Sequence, residues 1–149
     1  MLAMYHDYRI MNPSRGFVCL NELDLGVPLQ PAMSSIFRQK LPHSTYHPMV
    51  LEARRYGGKQ ALEAGIVDGL GGMEECLKFA AERKLPDKPK SKVYAQLKIE
   101  MYRETLGYID NFDAEEARAK ELEDKDAKRQ AEGEAKVAEW KTHASKAKL

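Results

Sequence analysis

This chain of 149 residues has few cysteines, no long apolar run and almost no excess of charge of either sign. The two cysteines, Cys19 and Cys76, have no CxxC or Cys/His spacing, which argues against a disulfide framework or a structural zinc and fits a reducing compartment. No apolar run is long enough for a transmembrane helix, so we expect no membrane span. The formal net charge of +1 argues against a strongly basic nucleic-acid-binding protein.

The apolar residues lie mainly before position 110, and a highly charged stretch follows them. Between Asp113 and Leu149, 10 acidic and 9 basic residues make 19 of 37 positions charged. Opposite charges recur there at helical spacing, which predicts a long solvated helix. Gly133 weakens that helix by about 1 kcal/mol relative to alanine, so disorder in isolation stays an alternative.

Hydrophobic spacing and turn residues predict short strands first and helices after them. The predicted strands cover residues 6–11, 16–20 and 66–68, and the predicted helices cover residues 31–41, 49–56, 59–65, 73–85 and 91–108. Two or three short strands make a poor sheet by themselves, because their edges and faces stay uncovered. The pattern therefore indicates an α/β protein that is the second half of a larger fold.

Two sequence blocks resemble the crotonase (enoyl-CoA hydratase/isomerase) superfamily. The first is His6-Asp7-Tyr8-Arg9-Ile10-Met11 followed by Gly16 to Gly26, and the second is Gly58 to Asp68. The resemblance covers about residues 1–85. It implies the carboxy-terminal half of a crotonase-like spiral of ββα turns, followed by a helical extension over residues 86–149. It also implies a fatty enoyl-CoA substrate, trimers of the full-length protein, and no metal or redox cofactor.

The Asn21-Glu22 pair is similar to that of the Δ3,Δ2-enoyl-CoA isomerases, which move a double bond in a fatty acyl-CoA during β-oxidation. The resemblance carries Glu22 over as the catalytic carboxylate, which takes a proton from C2 of the thioester and returns one to C4. It places Asn21, Leu25 and Met1 at substrate-binding positions. The structural alternative is that Glu22 is a surface or capping carboxylate before a helix.

Two alternatives to an active isomerase follow from the same resemblance. Hydratases of the family use a second glutamate, and its position falls at or next to Met1, where no acid is present; this favours an isomerase over a hydratase. The family's two oxyanion-hole N–H groups belong to segments that these 149 residues do not contain. We therefore expect a truncated chain that is inactive by itself, or a non-catalytic partner that joins full-length subunits through its helices.

The last three residues, Ala147-Lys148-Leu149, resemble the Ser-Lys-Leu tripeptide that directs proteins to peroxisomes. They predict a peroxisomal location and recognition by the import receptor. The alternative is that the tripeptide is a chance sequence at the end of a helix and carries no signal. Two further expectations concern charged groups nearer the start. Asp7 and Arg9 are predicted to form a structural ion pair, and His43 and His47 are predicted to be loop residues rather than metal ligands.

Overall fold

The computed structural model describes residues 1–146 and divides the chain into two compact units, Met1–Asp110 and Asn111–Leu149. The first unit is an α/β structure with two short strands, β1 (Ile10–Met11) and β2 (Gly69–Leu70). The helices, in chain order, are α1 (Glu22–Leu25), α2 (Pro31–Lys40), α3 (His43–Leu51), α4 (Gly58–Glu63), α5 (Met73–Glu82), α6 (Lys92–Met101), α7 (Arg103–Asp110) and α8 (Phe112–Lys146), with 3₁₀ turns at Leu2–Tyr5 and Leu85–Asp87.

The two strands pair in parallel, with Ile10 opposite Gly69 and Met11 opposite Leu70. Arg9 anchors the start of this pairing: its backbone N–H donates to Asp68 Oδ2 at 2.8 Å, and its guanidinium lies 3.5 Å from the same oxygen. Asp7 instead accepts a hydrogen bond from Lys98 Nζ at 2.8 Å. The predicted Asp7–Arg9 ion pair is therefore wrong, because each residue has its partner far away in the sequence.

The predicted strands are longer than those observed. Residues 6–9 are outside β1, and in place of a strand over residues 16–20 there is an isolated antiparallel bridge between Val18 and Tyr56. The strand expected at residues 66–68 lies at Gly69–Leu70 instead. A strand needs a hydrogen-bonding neighbour along its length, and these segments meet such neighbours over only one or two residues.

The core of the first unit forms around α2. Pro31 stands at the first position of this helix, as predicted, since it needs no N–H there and its φ already suits a helix. Ile36 and Phe37 of α2 are 1% exposed. They belong to a cluster of buried side chains: Met4, Leu20, Ile36, Phe37, Leu41, Met49, Tyr56, Ala61, Ile66 and Val67.

Gly58 begins α4 at a close approach between two backbone segments. A Cβ placed on Gly58 would lie 2.8 Å from Pro13 Cα and 2.9 Å from the Asn12 carbonyl oxygen. The neighbouring Gly57 has nothing within 4 Å of such a Cβ. The Pro13 turn can therefore pack against α4 only if residue 58 has no side chain.

We predict that Gly58→Ala lowers the free energy of unfolding by about 1–3 kcal/mol, the usual cost of forcing atoms into a packed region. Gly57→Ala is the matched control and should cost less than about 1 kcal/mol, because its Cβ meets open space at a helix N-cap. Urea unfolding of the whole chain measures both values. Equal costs for the two variants would contradict the close approach.

The contacts place the boundary between the two units after Asp110 rather than after residue 85. Helix α7 packs on α2, where Ser35 Oγ and Thr105 Oγ1 form a buried hydrogen bond of 2.8 Å. On the surface, Arg38 of α2 forms an ion pair with Glu104 of α7. The predicted division at residue 85 followed the extent of the family resemblance, whereas packing continues through α7.

Helices α5 and α6 differ from their predictions in burial and in length. Met73 and Leu77, two large apolar residues of α5, are 75% and 65% exposed. The helix expected over residues 91–108 is interrupted at Tyr102, which separates α6 from α7. Leu97 and Met101, both apolar residues of α6, are also exposed. An amphipathic pattern predicted the helical segments correctly, but it cannot show that a partner surface is present.

The second unit consists of α8, a helix of 35 residues whose described side chains are nearly all exposed. Two of the predicted ion pairs form along it: Glu121 with Lys125 at 2.6 Å, and Glu115 with Arg118 at 3.9 Å. The long solvated helix expected after residue 112 is confirmed. Over residues 1–146, no helix is both long enough and apolar enough to cross a bilayer.

Candidate active site

Helix α1 is a single turn that presents Glu22 at its first position. Asn21 is its N-cap, and Gly26 ends it in the left-handed conformation, with φ of 67°. The N–H of Val27 then donates to the Glu22 carbonyl at 3.0 Å, so the turn closes back on its own start. This closure fixes the backbone of Glu22 although α1 is too short to be stable alone.

Glu22 lines a cavity of about 310 Å³, within the range of small-molecule sites. The cavity lies among α1, α2, α3 and the loop before α2. Most of its wall is aliphatic, contributed by Leu20, Leu23, Val27, Leu29, Val50 and Leu51. The Oε2 atom of Glu22 is buried and has no hydrogen-bond partner among the described residues. A buried carboxylate oxygen without a partner is costly in a folded protein and is available to a ligand.

Two hydroxyl groups supply the remaining polar surface of the cavity. Ser34 of α2 and Tyr46 of α3 both line it, and Ser34 Oγ lies 2.8 Å from Tyr46 Oη. Arg38 Nη1 donates a hydrogen bond to Ser34 Oγ at 3.3 Å. Glu104 accepts a hydrogen bond from Arg38 and raises the pKa of this guanidinium, which therefore remains a donor.

The other residues expected to bind substrate do not line the cavity of Glu22. Asn21 and Leu25 are exposed and do not line the cavity. Met1 lines a separate cavity of about 290 Å³, together with residues of β1 and α2. The structure thus places Glu22 alone, of the four, in the cavity of 310 Å³. The tripeptide Ala147-Lys148-Leu149 lies outside the described residues.

Of four apolar residues close to Glu22 in the sequence, only one is buried. Leu20 is 3% exposed, whereas Phe17, Leu23 and Leu25 are more than half exposed. Leu20 and Leu23 nevertheless line the cavity. The apolar surroundings of Glu22 come largely from α3 and from the loop before α2, which the local sequence could not indicate.

Sequence reasoning did not predict Ser34 and Tyr46. They are twelve residues apart on different helices, and only the packing of α2 against α3 brings them together. Tyr46 also lies between His43 and His47, which were predicted to be loop residues. The sequence feature that could have indicated them is that each is a polar residue on a helix face that otherwise points to the core.

Residues 43–48 in fact belong to α3, which contains Pro48. His43 and His47 are therefore helical, and their ring centroids lie 5.8 Å apart. The loop prediction for these histidines is wrong, because α3 continues through Pro48 although this proline lacks the N–H that would bond one turn back. In residues 1–146, no group of three or more histidine, cysteine, aspartate or glutamate side chains is arranged to hold a metal ion.

Comparison with known proteins finds similarity to enoyl-CoA isomerases, in agreement with the two sequence blocks. The chain is 29% identical over 115 residues to enoyl-CoA delta isomerase 2, peroxisomal, from Arabidopsis thaliana, covering 73% of this chain and 48% of that protein. It is 27% identical over 116 residues to enoyl-CoA delta isomerase 3 from the same plant, covering 74% and 49%. No family model matches the chain.

Solved structures share the fold. A probable enoyl-CoA hydratase from Mycobacterium tuberculosis superimposes with a TM-score of 0.62 at 24% identity, covering 81% of this chain and 53% of that one. An enoyl-CoA hydratase/isomerase family protein from Pseudomonas syringae gives 0.60 at 25% identity, covering 73% and 48%. The chain thus spans about half the length of the relatives it matches. The predicted fold class is confirmed: the chain shares the fold of these solved structures, and its sequence is similar to enoyl-CoA isomerases, in agreement with the resemblance to the crotonase superfamily.

Proposed function

We propose that this chain carries the catalytic carboxylate of a Δ3,Δ2-enoyl-CoA isomerase, with Glu22 as the proton-transferring group. The observation that carries the proposal is the buried, unpartnered Oε2 of Glu22 in a mostly aliphatic cavity. The two Arabidopsis relatives, both enoyl-CoA delta isomerases, support this choice within the superfamily.

The chemistry requires one base that works at two carbons of the acyl chain. Glu22 takes a proton from C2 of a 3-enoyl thioester, the double bond moves to C2–C3, and the same carboxyl group returns a proton to C4. A free oxygen is needed for the first step, and Oε2 is free of hydrogen bonds in the described residues. The aliphatic wall provides contact for the hydrocarbon next to the reacting carbons.

Hydration of a 2-enoyl-CoA is the alternative activity, and the M. tuberculosis fold relative is described as a probable hydratase. A hydratase of this family uses a second carboxylate, whose position the resemblance gives to Met1. Met1 carries no acid and lines a different cavity from Glu22. This separation supports isomerisation over hydration.

A non-catalytic role as a partner of full-length subunits is the third candidate. Helices α5 and α6 expose large apolar side chains, including Met73, Leu77, Leu97 and Met101. Such faces suit packing against other subunits, as in the trimers expected for the family. A partner subunit would bind full-length homologues without adding to turnover.

Product analysis separates these three candidates. The chain is fused behind the amino-terminal half of Arabidopsis enoyl-CoA delta isomerase 2, which supplies the segments expected to hold the oxyanion donors; we refer to this protein as the extended chain. It is incubated with a 3-enoyl-CoA and separately with a 2-enoyl-CoA. Isomerisation gives a 2-enoyl product of unchanged mass, and hydration gives a product heavier by one water. A folded extended chain without either product would leave only the partner role.

We also propose a peroxisomal location, which rests on the terminal tripeptide and on the peroxisomal relative. Deleting Ala147-Lys148-Leu149 should change the fluorescence of an amino-terminally tagged chain from punctate to diffuse, because the import receptor reads a free carboxy-terminal tripeptide. Ala147→Ser is the matched control and should keep the puncta, since it restores the Ser-Lys-Leu form. Unchanged puncta after the deletion would show that another signal directs the protein.

A further inference from the structure

Helix α3 places two histidines side by side on its surface. His43 and His47 are four positions apart in this helix, so they lie on the same face, one turn from each other. Their ring centroids are 5.8 Å apart, and the two ring planes are inclined by 32°. Both side chains are exposed. The helix therefore fixes a spacing between the two rings that a loop would not provide.

Neither imidazole ring of this pair is engaged elsewhere. Within the described part of the chain, neither ring takes part in a hydrogen bond or an ion pair. A neutral imidazole ring has one nitrogen that accepts rather than donates. In both histidines this nitrogen is available to a ligand from solvent.

The backbone beneath the pair is held by contacts on the opposite side of α3. The N–H groups of Thr45 and Tyr46 both donate to the Pro42 carbonyl at 2.9 Å, which closes the first turn. Thr45 Oγ1 donates to the Ala64 carbonyl at 2.7 Å, and Met49 is fully buried. A ligand that binds both rings therefore has little backbone to order, which lowers the cost of binding.

The distance between the rings suits two nitrogen ligands of one metal ion. Because metal–nitrogen bonds measure about 2.0–2.1 Å, two imidazole rings on one ion have their centroids roughly 4.5–6 Å apart. The observed 5.8 Å lies within this range. Imidazole nitrogen suits Zn²⁺, Cu²⁺ and Ni²⁺, whereas Mg²⁺ and Ca²⁺ select oxygen ligands. Since residues 1–146 contain no cluster of three such ligands, water would fill the remaining positions.

We propose that His43 and His47 form a two-histidine site for a divalent transition-metal ion, with water as the remaining ligands. The expectation that these histidines are not metal ligands rested partly on a loop conformation, which the helix replaces. Neither ring lines the cavity of Glu22. The inference therefore does not depend on the proposed function.

The test is a calorimetric titration of the 149-residue chain with Ni²⁺ and, separately, with Mg²⁺. We expect Ni²⁺ to bind and Mg²⁺ to give no binding. In His47→Asn the affinity for Ni²⁺ should fall about tenfold or more, because the second ring no longer binds from within the same molecule. His143→Asn is the matched control: it removes an exposed histidine of α8 and should change the affinity by less than about twofold.

A second variant separates the spacing of the histidines from their number. Ser44→His/His47→Asn keeps two histidines in α3 but puts them at adjacent positions, which do not face each other on a helix. Its affinity for Ni²⁺ should stay at the level of His47→Asn. Both changed positions are exposed, so the fold should be retained. Ni²⁺ should raise the Tm of the wild-type chain more than that of either variant, because the pair exists only in the folded helix.

Equally tight binding of Ni²⁺ by the wild type and by His47→Asn would overturn the site, and so would a wild-type chain that binds no Ni²⁺. Wild-type affinity in Ser44→His/His47→Asn would also overturn it, because the spacing on α3 would then play no part. Binding of Mg²⁺ as tight as that of Ni²⁺ would refute nitrogen ligation. No thioester is present in this titration, so failure of the extended chain to isomerise 3-enoyl-CoA leaves its outcome unaffected.

Discussion

Glu22→Gln should lower kcat for isomerisation of a 3-enoyl-CoA by about 10³-fold in the extended chain. Positioned general acid–base groups contribute roughly 10²–10⁴ to rate, and here a single carboxylate is assigned both proton transfers. The amide of glutamine has nearly the same shape but cannot accept and release a proton at C2 and C4. Steady-state measurement with the double-bond shift as readout gives kcat and KM separately, and KM should change little.

Two observations keep this result from being confused with misfolding. Asp24→Asn is the matched control, because Asp24 lies on the same turn of helix, is exposed and does not line the cavity. It should retain wild-type kcat. Glu22→Gln should unfold at the same temperature as the wild type or slightly above it, since it removes a buried carboxylate oxygen that has no partner. Retention of more than about a tenth of kcat would remove Glu22 from the mechanism.

The boundaries of some helices were the features of the fold that could best be predicted from the sequence. Pro31 marks the first turn of α2 because its ring already has a helical φ, and α2 begins there. Gly72 precedes Met73, the first residue of α5 as predicted. These signals act within a few residues of the chain, so no knowledge of tertiary contacts is needed to use them. Pro42 and Pro48 do not mark a loop in this chain, because Pro42 is the N-cap of α3 and Pro48 lies inside that helix.

The sheet and the apolar faces were less predictable, because both depend on partners far away in sequence. Ile10–Met11 is a strand only where Gly69–Leu70 lies beside it, nearly sixty residues later. Leu77 and Leu97 belong to amphipathic patterns, yet they remain exposed in this chain. Periodicity identifies the side of a helix that could be buried, and only the arrangement of the other elements decides whether it is.

The residues of the candidate site also differ in whether the local sequence could predict them. Glu22 was identified because it belongs to a short linear motif, Asn21-Glu22, within a block of family-like sequence. Ser34 and Tyr46 belong to no motif, and their contact arises from the packing of α2 on α3. Met1 was assigned to substrate by alignment alone, and the structure gives it to another cavity. Contacts across helices therefore decide which predicted residues share a site.

The 149-residue chain by itself should show no measurable isomerisation of 3-enoyl-CoA, although it contains Glu22. Proton removal from C2 leaves negative charge on the thioester oxygen, and in this family two backbone N–H groups stabilise it. The resemblance assigns both donors to segments that these residues do not contain. One such donor is worth about 10²–10³ in rate, so the lack of two should reduce turnover below detection.

The extended chain supplies both donors and should restore turnover, measured under identical conditions with the same 3-enoyl-CoA. The Glu22→Gln variant of the 149-residue chain controls for contaminating host enzymes, because their activity would be equal in both preparations. Turnover by the 149-residue chain that Glu22→Gln abolishes would contradict the expected position of the donors. In that case this chain would have to stabilise the thioester oxygen with its own groups, and the hydroxyls of Ser34 and Tyr46 would be the first donors to test, because they line the cavity of Glu22.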